Sequence, residues 1–127
     1  MSTDRVCRIN IKPLSMGRIW STGKHGKRFL TTEGSNFKKL VGIEARKSFP
    51  EMINFSGKIH FEAKFYGNWH TKKGEISKTA GDLDNFNKLI IDGIAESMSF
   101  NDAQIFKIST EKIDADTHFF EFRIDKV

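Results

Sequence analysis

The stretch Gly81-Asp82-Leu83-Asp84-Asn85-Phe86-Asn87-Lys88-Leu89-Ile90-Ile91-Asp92-Gly93-Ile94-Ala95-Glu96-Ser97-Met98 decides the fold class. Leu83, Phe86, Leu89, Ile90, Ile94 and Met98 recur every three or four residues, which predicts an amphipathic helix over 83–98 with one buried stripe. The opposite face presents Asp84, Asn85, Lys88 and Asp92, with Asp84–Lys88 and Lys88–Asp92 at neighbouring i,i+4 spacing. On both sides the period falls to two. Residues 56–66 place Ile59, Phe61, Ala63 and Phe65 on one side and His60, Glu62, Lys64 and Tyr66 on the other, a half-buried strand. Residues 104–113 and 117–126 read as two further strands, with Phe120, Phe122 and Ile124 sharing a face and Asp114-Ala115-Asp116 as a hairpin turn.

Toward the N-terminus, residues 5–12 alternate as a first strand that Pro13 ends. Residues 14–31 read as irregular and basic, with Arg18, Lys24, His25, Lys27 and Arg28, three glycines, and Trp20 and Phe29 interleaved; this composition suits a phosphate-contacting loop. Capping hydroxyls at Thr31, Thr32 and Ser35 then precede Phe37, Leu40, Val41, Ala45 and Phe49 at helical spacing, and Pro50 closes a helix over 32–48. Residues 67–81 show no period, hold Lys72, Lys73 and Lys78, and lead directly into Asp82. The expectation is one α+β domain over 1–127, with a small mixed sheet of about four strands and two main helices.

Length and composition agree. A chain of 127 residues supports a single modest core, and twelve Phe argue against disorder. No apolar run reaches the roughly 18 residues of a transmembrane helix, so no membrane partner is expected. Residues 1–10 lack the apolar stretch of a signal peptide. The lone Cys7 cannot form an internal disulfide, which fits a reducing cytoplasm, and it reads as a small buried strand residue rather than a nucleophile. Charge is uneven. Residues 1–50 carry eleven Lys/Arg against three acids, a net of +8, while residues 51–127 carry ten against thirteen, a net of −3. A basic half can neutralise a phosphodiester backbone while an acidic half holds metal.

Asp82 and Asp84 open the second helix, and Asp102 lies just past its end. Each alone has a structural reading: a helix cap, a partner of Lys88, a turn residue. Their coincidence with Lys88 and a lysine-rich approach points instead to one site. Closely placed carboxylates repel unless a cation lies between them, and hard oxygen donors suit Mg²⁺ or Mn²⁺. Other Asp-x-Asp chemistries fit poorly. Phe86 and Asn87 stand at the fifth and sixth positions of what would be an EF-hand loop, where an oxygen ligand and a glycine are needed. No buried strand precedes Asp82 as a phosphatase nucleophile requires, and no phosphate-binding glycine loop or Cys/His zinc spacing occurs. Of the scattered histidines, His70 beside Lys72 and Lys73 is a candidate backbone contact.

The stretch DLDNFNKLIIDGI followed by FNDAQI resembles the RusA-type Holliday junction resolvases, whose signature is an Asp-Leu-Asp-Asn-x-x-Lys helix and, about twenty residues on, an Asp-Asp-x-x-Val/Ile element. Residues 13–20 and 30–34 are similar to the family's N-terminal segment and first helix start, so the likeness spans nearly the whole chain. It implies an intertwined homodimeric α+β endonuclease that cuts four-way DNA junctions by paired nicks with Mg²⁺, Mn²⁺ substituting, in recombination and repair in the bacterial cytoplasm; many members are encoded by phages or prophages. By position, Asp82, Asp84 and Asp102 correspond to the essential metal-holding acids and Lys88 to the active-site lysine. Arg18, Lys24, Lys27, Arg28, Lys72, Lys73 and Lys78 are then expected on the DNA backbone. Two positions depart from the pattern: Asn101 stands where the family often has the first Asp of its pair, and Gly17 replaces the usual Asn. The alternatives are a non-catalytic nucleic-acid-binding protein, which would not depend on divalent metal, and a metal nuclease for flaps, forks or RNA.

Overall fold

A computed structural model describes residues 5–13, 20–22 and 28–127. In chain order the elements are β1 (Cys7–Ile9), β2 (Trp20–Thr22), β3 (Arg28–Leu30), α1 (Thr32–Ser48), a 3₁₀ turn (Pro50–Met52), β4 (Ile59–Gly67), α2 (Leu83–Met98), a second 3₁₀ turn (Asp102–Gln104), β5 (Ile105–Asp114) and β6 (Phe119–Lys126). The arrangement is α+β, as the change of period implied. Four strands form a mixed sheet in the order β1-β6-β4-β5. β4 pairs parallel with β5 and antiparallel with β6, and β1 lies antiparallel on the outer side of β6.

The core forms where the two periods meet. Ile59, Phe61, Ala63 and Phe65 are buried on one side of β4, with Phe120, Phe122 and Ile124 beside them on β6. Against this face α1 sets Phe37, Val41 and Ala45, and α2 sets Phe86, Leu89, Ile90, Ile94 and Met98. Phe65 is central, with ring centroids 5.1 Å from Phe86 and 5.9 Å from Phe120. The helices are tied to each other by the Lys38–Glu96 ion pair and by Ser97 Oγ donating to the Gly42 carbonyl at 3.0 Å. Cys7 belongs to this core, and burial pushes its thiol pKa up, the opposite of what a nucleophile needs.

Three sequence readings need correction. Residues 114–116 do not make a hairpin, because β4 lies between β5 and β6. Composition explains the exchange: β6 buries every second residue and belongs inside the sheet. β5 carries Lys107, Thr110, Glu111 and Lys112 and takes the edge, where charge suppresses further strand pairing. Residues 14–31 are not irregular throughout, since β2 and β3 pair as Trp20↔Leu30 and Thr22↔Arg28 in a separate ribbon. The first strand is three residues long, not eight.

Candidate active site

Gly81 sets the start of α2. Its φ of +109° is open to glycine and strained for other residues, and a Cβ there would come within 2.4 Å of the Phe86 ring. Lys112 of β5, lying over the Trp69 ring at 4.8 Å, donates to the Gly81 carbonyl at 2.5 Å. The helix start is thereby fastened to the sheet edge. Asp82 follows as N-cap, and its carbonyl accepts from the Phe86 amide at 3.1 Å. Its carboxylate, however, makes no capping hydrogen bond. The ordinary role of an aspartate at this position is therefore not taken up. Asp84, in the first turn, is exposed, and neither carboxylate has a hydrogen bond or ion pair among the described residues.

Lys88 lies farther along the same face. Its ammonium is 3.1 Å from Asp92 and 3.4 Å from Asp102, so it turns toward the helix C-terminus and does not pair with Asp84. Two carboxylates on that side outweigh one on the other. Asp92, and then Asp102, hold the lysine pKa above its ordinary value, so Lys88 is a cation at neutral pH. Asp102 itself is presented by a compact turn. Asn101 Oδ1 accepts from the Ala103 amide and Gln104 Oε1 from the Asn101 amide, both at 2.8 Å, a capping box. The Gln104 amide nitrogen donates to the carbonyls of Phe55 and Gly57 at 2.8 and 3.0 Å, anchoring the turn before β4. Asn101 thus serves to shape the turn that displays Asp102.

Asp84, Lys88 and Asp92 follow one another at i,i+4 spacing along α2, with the uncommitted Asp82 at its N-cap and Asp102 bonded to Lys88 from the turn beyond its end. Among the described residues no group of three His, Cys, Asp or Glu side chains is placed as a metal-holding cluster, Asp82, Asp84 and Asp102 included. Mg²⁺ does not need one. It keeps several waters and is bound through one or two carboxylates together with substrate phosphates. Free, exposed carboxylate oxygens on a fixed helix start fit it in kind.

Of the basic residues, Lys72, Lys73 and Lys78 are exposed on the segment before Asp82. Arg28 begins β3, and Arg18, Lys24 and Lys27 lie outside the described residues. His70 pairs with Asp114 at 3.0 Å. Three contributors lay outside the motif. Asp92 orients Lys88, and its i,i+4 spacing from the lysine was the available signal. Lys112 and Trp69 brace the helix start across the sheet, which no local pattern could reveal. On the far side of the sheet a separate groove of about 600 Å³ is lined by Glu62, Lys64, Glu111, Glu121 and Arg123. It shares no residue with this site.

No helix among the described residues is long and apolar enough to cross a membrane. A comparison with curated proteins gives no match. A comparison with protein families matches residues 10–124, nearly the whole chain, to the family described as Endodeoxyribonuclease RusA. The match covers Asp82 and the helix bearing Asp84 and Lys88, the turn bearing Asp102, strands β4 and β5 and most of β6, and the chain belongs to the RusA endodeoxyribonuclease family.

Proposed function

We propose that this protein is a divalent-metal-dependent endonuclease that resolves four-way DNA junctions by paired symmetric nicks, acting as a homodimer in recombination and repair. The observation that carries the reading is the Asp82 carboxylate, left without a capping bond at the head of a helix whose next turns bear Asp84 and a protonated Lys88. Asp82, Asp84 and Asp102 are the residues to hold Mg²⁺ or Mn²⁺. The metal, when bound, supplies charge neutralisation at the scissile phosphate and a lowered pKa for the attacking water. Lys88, kept cationic by Asp92 and Asp102, stabilises charge that develops on the phosphate oxygens. Lys72, Lys73 and Lys78, with Arg18, Lys24, Lys27 and Arg28, hold the DNA backbone; such contacts fix position without reading sequence. A two-fold dimer matches the symmetry of a four-way junction and sets one site at each of two strands. The mixed-charge groove on the sheet's far side, where Lys64 and Arg123 neighbour Glu62, Glu111 and Glu121, has the self-complementary character that such a dimer contact requires.

The test is cleavage of an end-labelled synthetic four-way junction beside linear duplex of the same sequence, in Mg²⁺ and in EDTA. Paired nicks in the junction alone, lost in EDTA, are expected. Asp82→Asn, Asp84→Asn and Asp102→Asn should each abolish cutting while junction binding persists in a gel-shift assay. Normal cutting by all three variants would sink the assignment.

A further inference from the structure

The segment joining β4 to α2 forms a braced finger. Trp69 is buried at its base, its indole N–H shared between the carbonyls of Phe65 at 3.2 Å and Ile113 at 3.0 Å. The Ser77 amide donates to the Trp69 carbonyl at 2.9 Å, the Thr71 amide to Glu75 at 2.7 Å, and the Gly74 amide to Thr71 at 2.9 Å. Lys72 and Lys73 are the central residues of this turn, and Gly74, at φ +81°, closes it as a three-residue hairpin loop. His70 and Ile76 form the single bridge between the two arms, and His70 is tied to Asp114 of β5. The arm opposite His70 thus carries Ile76 outward, 76 % exposed, the most open large apolar side chain among the described residues.

An isoleucine displayed on a braced hairpin, six residues before Asp82 and flanked by Lys72, Lys73 and Lys78 against Glu75 alone, is matched to a particular surface. The lysines complement phosphate. Ile76 gains nothing from phosphate, and it gains most from the flat apolar faces of bases. Intact duplex hides those faces, whereas a strand-exchange or branch point exposes them or lets them be parted cheaply. Apolar side chains inserted between base steps are an established way for proteins to open a stack. We infer that Ile76 is a wedge that enters the base stack at the branch point while Lys72 and Lys73 grip the flanking phosphates. It would supply part of the preference for branched over linear DNA. The inference rests on the nuclease reading above and deepens it.

The experiment uses the full chain in EDTA, so that nothing is cut, with four-way junctions carrying 2-aminopurine at the crossover. Binding of the natural sequence should raise 2-aminopurine fluorescence at the crossover and leave a probe placed mid-arm unchanged. Ile76→Ala and Ile76→Ser should lose the rise while affinity changes by no more than about threefold, because phosphate contacts dominate binding. Ile76→Phe should retain it. Lys72→Ala with Lys73→Ala should weaken binding and reduce the salt slope of log K by about two. An undiminished rise in Ile76→Ser overturns the wedge, as does sedimentation showing that this substitution converts a dimer to a monomer, which would make Ile76 a protein contact. Absence of any junction binding or cutting by the natural sequence overturns the nuclease reading itself, and is distinguishable from both.

Discussion

At Lys88 the decisive quantity is the strength of an exposed ion pair. The ammonium is half open to solvent, and Asp92 and Asp102 hold it from one side. Exposed pairs of this kind are worth about 0.2–1 kcal/mol. Removing the orienting charge in Asp92→Asn should therefore slow single-turnover junction cleavage by at most about fivefold. Lys88→Met removes the cation itself and should cost far more. Equal losses in the two variants would show that Asp92 takes part in the chemistry directly. Asp82 and Asp84 stand differently, because no described partner competes for their oxygens.

The element that matters most is the start of α2, where Gly81 packs on Phe86 and accepts from Lys112. Gly81→Ala imposes a strained φ and a clash with the Phe86 ring, and should destabilise the fold by about 1–3 kcal/mol in urea unfolding. Because Asp82 is the next residue, the same substitution should weaken Mn²⁺ binding measured on the folded protein. An unchanged midpoint would mean that the turn relaxes without cost. The sheet beneath depends on Phe65, fully buried between Phe86 and Phe120. Phe65→Ala leaves a cavity under α2 and should cost about 3–5 kcal/mol.

Across the whole molecule, His118 joins the finger base to the sheet. Its ring meets Trp69 edge-on at 5.6 Å, and its Nδ1 is buried with no hydrogen-bond partner among the described residues. Burial, and secondarily Lys12, lower its pKa. The folded chain therefore resists a proton that the unfolded chain accepts below about pH 6.5. Stability should fall as pH drops through that value toward the depressed folded pKa, and should be indifferent to this group at higher pH. Thermal unfolding of His118→Gln should show a shallower loss between neutral and mildly acidic pH than the natural sequence. Identical pH slopes would remove His118 from the account.

Much of this was legible in the chain because it is written in short-range chemistry. The 3.6-residue period of 83–98 and the twofold alternation of 56–66 each require only local geometry, and the bounds of α1 follow from the Thr31 cap and Pro50 lying beside it in sequence. The motif around Asp82 carried the family with it. Strand order was not legible, since Asp114-Ala115-Asp116 suits a hairpin as well as a longer connection. Only competition for the centre of the sheet, won by the more apolar β6, placed β4 between its neighbours. Nor could local pattern show that Lys88 turns toward Asp102, that Lys112 reaches Gly81 across 31 residues of chain, or that Asp82 leaves its cap unused. Those facts depend on which distant groups tertiary packing brings within a few ångströms, where hydrogen bonds and charges act.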